Sequence, residues 1–201
     1  MELREALLQI AEIRRHMAKS DVFRGYRSAP VAVSGLLALA AAALQFRYIP
    51  DPTEAPNEYL ALWIGTAALS MAAVAIEMAL RLQHGESRGP WELTRLAVEL
   101  FLPAVIAGAS VTVVLARQSP NNLALLPGLW QIMFSLGIFA SARLLPRPLF
   151  GVAAFYMITG SVLLALARTG LSLDPWAMGV PFVVGQLASA GILYWTLERR
   201  G

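Results

Sequence analysis

The chain has 201 residues, 57% hydrophobic and only 14% charged, with a formal net charge of +3. That balance lies outside the soluble globular range. The pI near 9.7 comes from basic residues at the ends of apolar blocks, which excludes a nucleic-acid reading. Cysteine is absent, so disulfides, thiolate chemistry and Cys-based metal sites are excluded as well.

Residues 2–19 predict an amphipathic helix, because Leu3, Leu7, Ile10, Ile13 and Met17 recur at three- and four-residue spacing. Glu2 and Glu5 open it, and Arg14, Arg15, His16 and Lys19 close it, as the helix dipole favours. Phe23, Arg24, Tyr26 and Arg27 follow, an aromatic and basic mix suited to the headgroup layer. Residues 1–28 are therefore read as a cytoplasmic interfacial segment. Lying on the anionic leaflet is its simplest use; pairing with a second copy or docking a soluble partner are the others. The thirty mostly polar residues ahead of the first apolar block are too many for a secretory n-region.

Six apolar blocks follow, at 29–46, 59–82, 93–116, 123–144, 149–167 and 176–197. Each has the length of about 17–25 residues that crosses a ~30 Å hydrocarbon core as a helix. The predicted fold class is an all-α membrane protein, with residues 29–201 as one six-helix domain. Tyr59, Trp63, Trp91, Trp176, Tyr194 and Trp195 fall near block ends, where an interfacial belt belongs. With the N-terminus inside, thirteen Lys and Arg face the cytoplasm and only Arg47, Arg117 and Arg168 face outward. The positive-inside rule thus places both termini in the cytoplasm of a multi-pass plasma (inner) membrane protein.

The blocks repeat. Pro30 and Pro127, Pro50 and Pro146, Gly65 and Gly151, and Gly85 and Gly170 match at offsets of 97, 96, 86 and 85 residues. The context matches too: Gly-x-Ala-Ala-x-x-Met recurs at 65–71 and 151–157, and Pro-Trp at 90–91 and 175–176. Three crossings is an odd number, so two tandem units, 29–117 and 123–198, are inverted relative to each other. Inverted repeats are common in transporters, whose sites tend to sit at the repeat interface near mid-membrane.

The candidate site residues are the ionisable and amide groups set into these blocks. Glu77 and Arg81 descend one limb of a hairpin, and Arg95 and Glu99 return on the other. At 1.5 Å per residue the two carboxylates lie roughly 9 and 12 Å deep, and intramembrane charges suggest an ion, proton or substrate pathway. Pro103 would free the carbonyl of Glu99 for a ligand. Against this, Glu77–Arg81 and Arg95–Glu99 are four residues apart and can neutralise each other locally. Gln131 and Gln186 are read either as interhelical hydrogen-bonding groups or as lining of the same pathway.

No phosphate loop or catalytic signature is present, so no enzyme activity, catalytic residue, metal or cofactor is expected. The functional expectation is a small transporter or channel for a small solute or ion, lined by Glu77, Arg81, Arg95, Glu99, Gln131 and Gln186. The alternative is a membrane-bound sensor or accessory subunit acting through residues 1–28 on a partner protein. The expected partners are the lipid bilayer, a second copy as a homodimer, or that cytoplasmic protein, and no nucleic acid.

Overall fold

A computed structural model describes residues 28–83, 88–142 and 144–199; the predicted amphipathic helix lies outside them. Helix α1 (Ser28–Tyr48) is built largely of Ala and Leu, strong helix formers. Helix α2 (Pro56–Gln83) begins on a proline, whose missing N–H costs nothing in a first turn. Helix α3 (Arg88–Gln118) runs unbroken through Pro103 and begins five residues ahead of the predicted block. A 3-10 segment, Pro120–Leu125, leads into α4 (Leu126–Ser141), which therefore starts after the predicted 123. Helix α5 spans Leu149–Ala165.

Gly170, at φ 78°, joins two short 3-10 turns that reverse the chain. Helix α6 (Pro175–Leu193) is then capped by Asp174, whose carboxylate accepts from the Trp176 N–H at 2.8 Å. It finishes in a π-helical turn, Tyr194–Glu198. Glu198 reaches back to the start of α1, accepting from the Ser28 N–H at 2.8 Å and from its hydroxyl at 3.0 and 3.1 Å. This clasp ties the two ends of the six-helix stretch together at one end of the bundle.

Five helical stretches are long and apolar enough to cross a membrane, and α5, at 17 residues, is the shorter sixth. Polarity is distributed as a hydrocarbon solvent dictates. Leu36, Phe46, Leu69, Ile76, Ile106, Val114 and Ile158 are exposed, whereas Gln45, Gln131, Ser135 and Ser172 are fully buried. Among the described residues the architecture is all-helical and that of a multi-pass membrane protein. The aromatic belt is only partly as expected. Trp176, Tyr194 and Trp195 are exposed and the Trp91 side chain lies outside the described residues, but Tyr59 and Trp63 turn inward; the Trp63 N–H finds a buried acceptor in Gln45 Oε1 at 2.7 Å.

Packing follows small residues. Helix α1 lies along α6, where Ala42 fits against Gly179 and Gly35 against Gln186 and Val183. Helices α4 and α5 cross where Gly128 and Gly160 face each other's backbone. The remaining seams are α3 on α4, α2 on α1, and α5 on α6. Helices α2 and α3 are consecutive in the chain, yet among the described residues they form no packed seam. The two limbs of the expected hairpin stand apart.

Candidate functional site: a cavity between helices 2 and 3

The gap between α2 and α3 holds a cavity of about 320 Å³. One wall is α2, through Ile64, Ala67, Ala68 and Met71, and the other is α3, through Phe101, Val105, Gly108 and Ala109. The floor comes from Ser34 and Ala38 of α1, Trp130, Met133 and Phe134 of α4, and Met178, Phe182 and Gln186 of α6.

Side-chain volume explains why the opening lies here and not between α5 and α6. Tyr156 fills the α5–α6 seam: it is fully buried, edge-on to Phe134 at 5.0 Å and against Phe182 at 5.3 Å. The hollow it needs is supplied by Gly185, where an added Cβ would fall 2.4 Å from the Tyr156 ring and hydroxyl. On α2 the lining includes the small residues Ala67, Ala68 and Ser70 between Trp63 and Met71.

Most polar groups on the cavity wall are already satisfied. Ser34 Oγ donates to the Val31 carbonyl at 2.7 Å, Thr66 Oγ1 to Leu62 and Ser70 Oγ to Thr66, both at 2.8 Å. Thr112 Oγ1 donates to the Gly108 carbonyl at 2.7 Å and accepts from Trp130 Nε1 at 2.8 Å. Hydroxyls turned back onto their own helix in this way leave a greasy surface. Trp63 is held from behind, through Gln45, whose Nε2 donates on to the Leu173 carbonyl at 2.7 Å. Gln186 is the exception: among the described lining residues, its amide makes no hydrogen bond.

Of the four expected pathway residues whose side chains are described, Glu77, Glu99, Gln131 and Gln186, only Gln186 lines this cavity. Gln131 is fully buried in the α4–α5–α6 junction, donating to the Ala177 carbonyl at 3.2 Å and approaching Met178 Sδ at 3.8 Å. That is the interhelical role. Its Oε1 and the Tyr59 hydroxyl are buried without a hydrogen-bond partner. Glu77 is half-buried and Glu99 exposed; each is engaged in an interaction, and neither lines the cavity. The side chains of Arg81 and Arg95 lie outside the described residues.

The residues that shape the opening, Ser70, Phe101, Thr112, Trp63 and Trp130, carry no charge, so intramembrane ionisable groups do not point to them. The signal that was available is the row of small residues on α2 next to buried aromatics. No family model matches this chain, nor does any curated protein or solved structure match it.

Proposed function

We propose that the protein is a small integral membrane transporter or channel for a small solute, with its solute site in the α2–α3 cavity. The carrying observation is that cavity, about 320 Å³ in a seam left unpacked between two helices. It falls within the ~300–1,000 Å³ of ordinary ligand pockets.

The reading includes the inverted duplication of 29–117 and 123–198, with both termini on the cytoplasmic side. Helix pairing supports it. Exchanging α1, α2 and α3 for α4, α5 and α6 turns the α1–α2 seam into α4–α5, and the α1–α6 seam into α3–α4; all four are packed. The remaining pair is α5–α6 with α2–α3, one packed and the other open. At the 86-residue offset of the repeat, Ser70 is the counterpart of Tyr156. The first half thus carries a hydroxymethyl group where the second carries a phenol, and the solute takes the difference.

Proteoliposome flux tests this with a panel of small uncharged solutes and monovalent ions. Wild type should pass at least one, and Ser70→Phe, which fills the cavity, should stop it while Glu77→Gln and Glu99→Gln leave it largely intact. Absence of any flux, with a partner protein captured through residues 1–20, would overturn transport and leave the sensor or accessory-subunit reading.

A further inference from the structure

We infer that the α2–α3 cavity takes an uncharged, membrane-dissolved molecule with one hydrogen-bonding oxygen, anchored on the Gln186 amide and reached sideways between α2 and α3. The inference rests on the cavity being the solute site proposed above, and it names the class of solute.

Charge is excluded first. Among the described residues no Asp, Glu, Lys, Arg or His lines the cavity, and an ion set there would lose its hydration with no counter-charge. A sugar or other polyol is excluded next. The lining hydroxyls are turned onto their own helices, so several ligand hydroxyls would go unmatched. One group is left over: the Gln186 side chain, with two N–H donors and a carbonyl acceptor. A single hydroxyl or carbonyl suffices to engage it. The rest of the ligand meets Met71, Met133 and Met178 with Phe101 and Phe182, flexible thioethers and rings that adapt to an apolar body.

Size and depth narrow the class. An engineered apolar cavity of ~150 Å³ binds benzene, so by proportion about 320 Å³ holds roughly a dozen non-hydrogen atoms. Gln186 stands eleven residues beyond Pro175 on α6, about 16 Å along the helix and near mid-membrane. A phospholipid keeps its headgroup at the interface, so its polar part would not reach. The walls are mid-helix residues of α2 and α3 that do not pack on each other. The opening therefore faces the level of the acyl chains.

Trp63 and Trp130 line the cavity and report on it. The probe is 10-bromodecan-1-ol, whose bromine quenches indole fluorescence, titrated into phosphatidylcholine vesicles holding the full chain. Its matched controls are 1-bromodecane and 10-bromodecanoate. The alcohol should add a saturable component to the linear quenching expected from partitioning, and the two controls should not. Gln186→Met keeps the side-chain length and the Cβ contact with Gly35, and should weaken the saturable component about tenfold, the worth of one hydrogen bond. Ser70→Phe should abolish it. Equal saturable quenching by bromodecane or the carboxylate, or a saturable component untouched by Gln186→Met, overturns the inference. The transport reading fails separately: saturable, Gln186-dependent quenching without flux keeps the site and removes transport. Flux with Gln186-independent quenching does the reverse.

Discussion

Gly128→Ala is the sharpest test of the packing. A Cβ at this position would fall 2.7 Å from the Gly160 carbonyl oxygen, 2.8 Å from Leu164 Cγ and 2.9 Å from the Leu164 amide nitrogen. Two of these three atoms are backbone, so no rotamer change relieves the clash. A carbon needs about 3.3 Å from a carbonyl oxygen even in a close Cα–H···O contact, so α5 must retreat from α4 by roughly 0.6 Å. Overpacking of this kind costs about 1–3 kcal/mol, against the ~0.5–1 kcal/mol that Ala gains over Gly inside a helix. The net is a loss of about 0–2.5 kcal/mol, centred near ~1.3 kcal/mol or roughly tenfold in the unfolding constant. Gly151→Ala is the control, on α5 where an added Cβ meets nothing within 4 Å; it should be neutral or stabilising by up to about 1 kcal/mol. Unfolding by sodium dodecyl sulfate in mixed micelles, followed by tryptophan fluorescence, ranks the two. If Gly128→Ala and Gly151→Ala unfold at the same detergent fraction, the close α4–α5 crossing is wrong.

Three further outcomes use the same protein. Gln45→Leu strands the buried N–H of Trp63 and the Leu173 carbonyl and should cost about 1–3 kcal/mol, whereas Gln131→Leu removes one long hydrogen bond together with an orphaned oxygen and should stay within about 1 kcal/mol; the reverse order in micellar unfolding would refute this accounting. Glu198→Gln removes the negative charge from the start of α1 and should cost about 0.3–1 kcal/mol, less at high salt, and Glu198→Ala, which loses the cap entirely, about 0.5–2 kcal/mol; a thermal midpoint unchanged in both would show that the clasp with Ser28 contributes nothing. Asp51, in the loop after α1, is held below its ordinary value of 3.8 chiefly by the Thr53 hydroxyl and then by the Thr53 N–H. A lowered folded-state pKa makes its contribution present above the unfolded value and lost as pH falls through the folded one, so Thr53→Ala should move the Asp51 titration, followed by NMR, back up toward 3.8.

The spans were legible because length and hydropathy are one-dimensional properties. Five long apolar helices and a shorter sixth stand where the blocks put them, with ends shifted by up to five residues. Pro120 begins a 3-10 segment that delays α4, and α3 gains residues ahead of 93 because its apolar run is shorter than its helix. Ser34, Ala38, Ala42 and Gln45 recur at helical spacing on α1, a mostly small-residue stripe that admits a close neighbour, and α6 fills that place. Lateral arrangement was not legible. Chain adjacency and the charges of Glu77, Arg81, Arg95 and Glu99 suggested a tight hairpin, whereas α2 packs on α1 and α3 on α4. Charge along a helix marks depth and says nothing of which neighbour the helix chooses, since in lipid that choice rests on small-residue contacts.

The same distinction bears on where function is sought in a slim bundle. An intramembrane carboxylate is conspicuous because it is costly, yet one near the helix ends can be neutralised by a residue four positions away and build no chamber. A chamber needs missing volume, and missing volume is a difference between two positions that are otherwise alike. Under the proposed duplication, Tyr156 and Ser70 are such positions. The phenol closes α5 onto α6 through the notch at Gly185, and the hydroxymethyl group leaves α2 apart from α3. If the opening were a defect of a marginal bundle, Ser70→Phe should stabilise the protein without loss of activity. If it is the working site, the same change should abolish flux whatever it does to stability. Only the second result connects the asymmetry of the two halves to a function, and it does so without invoking any of the four charges.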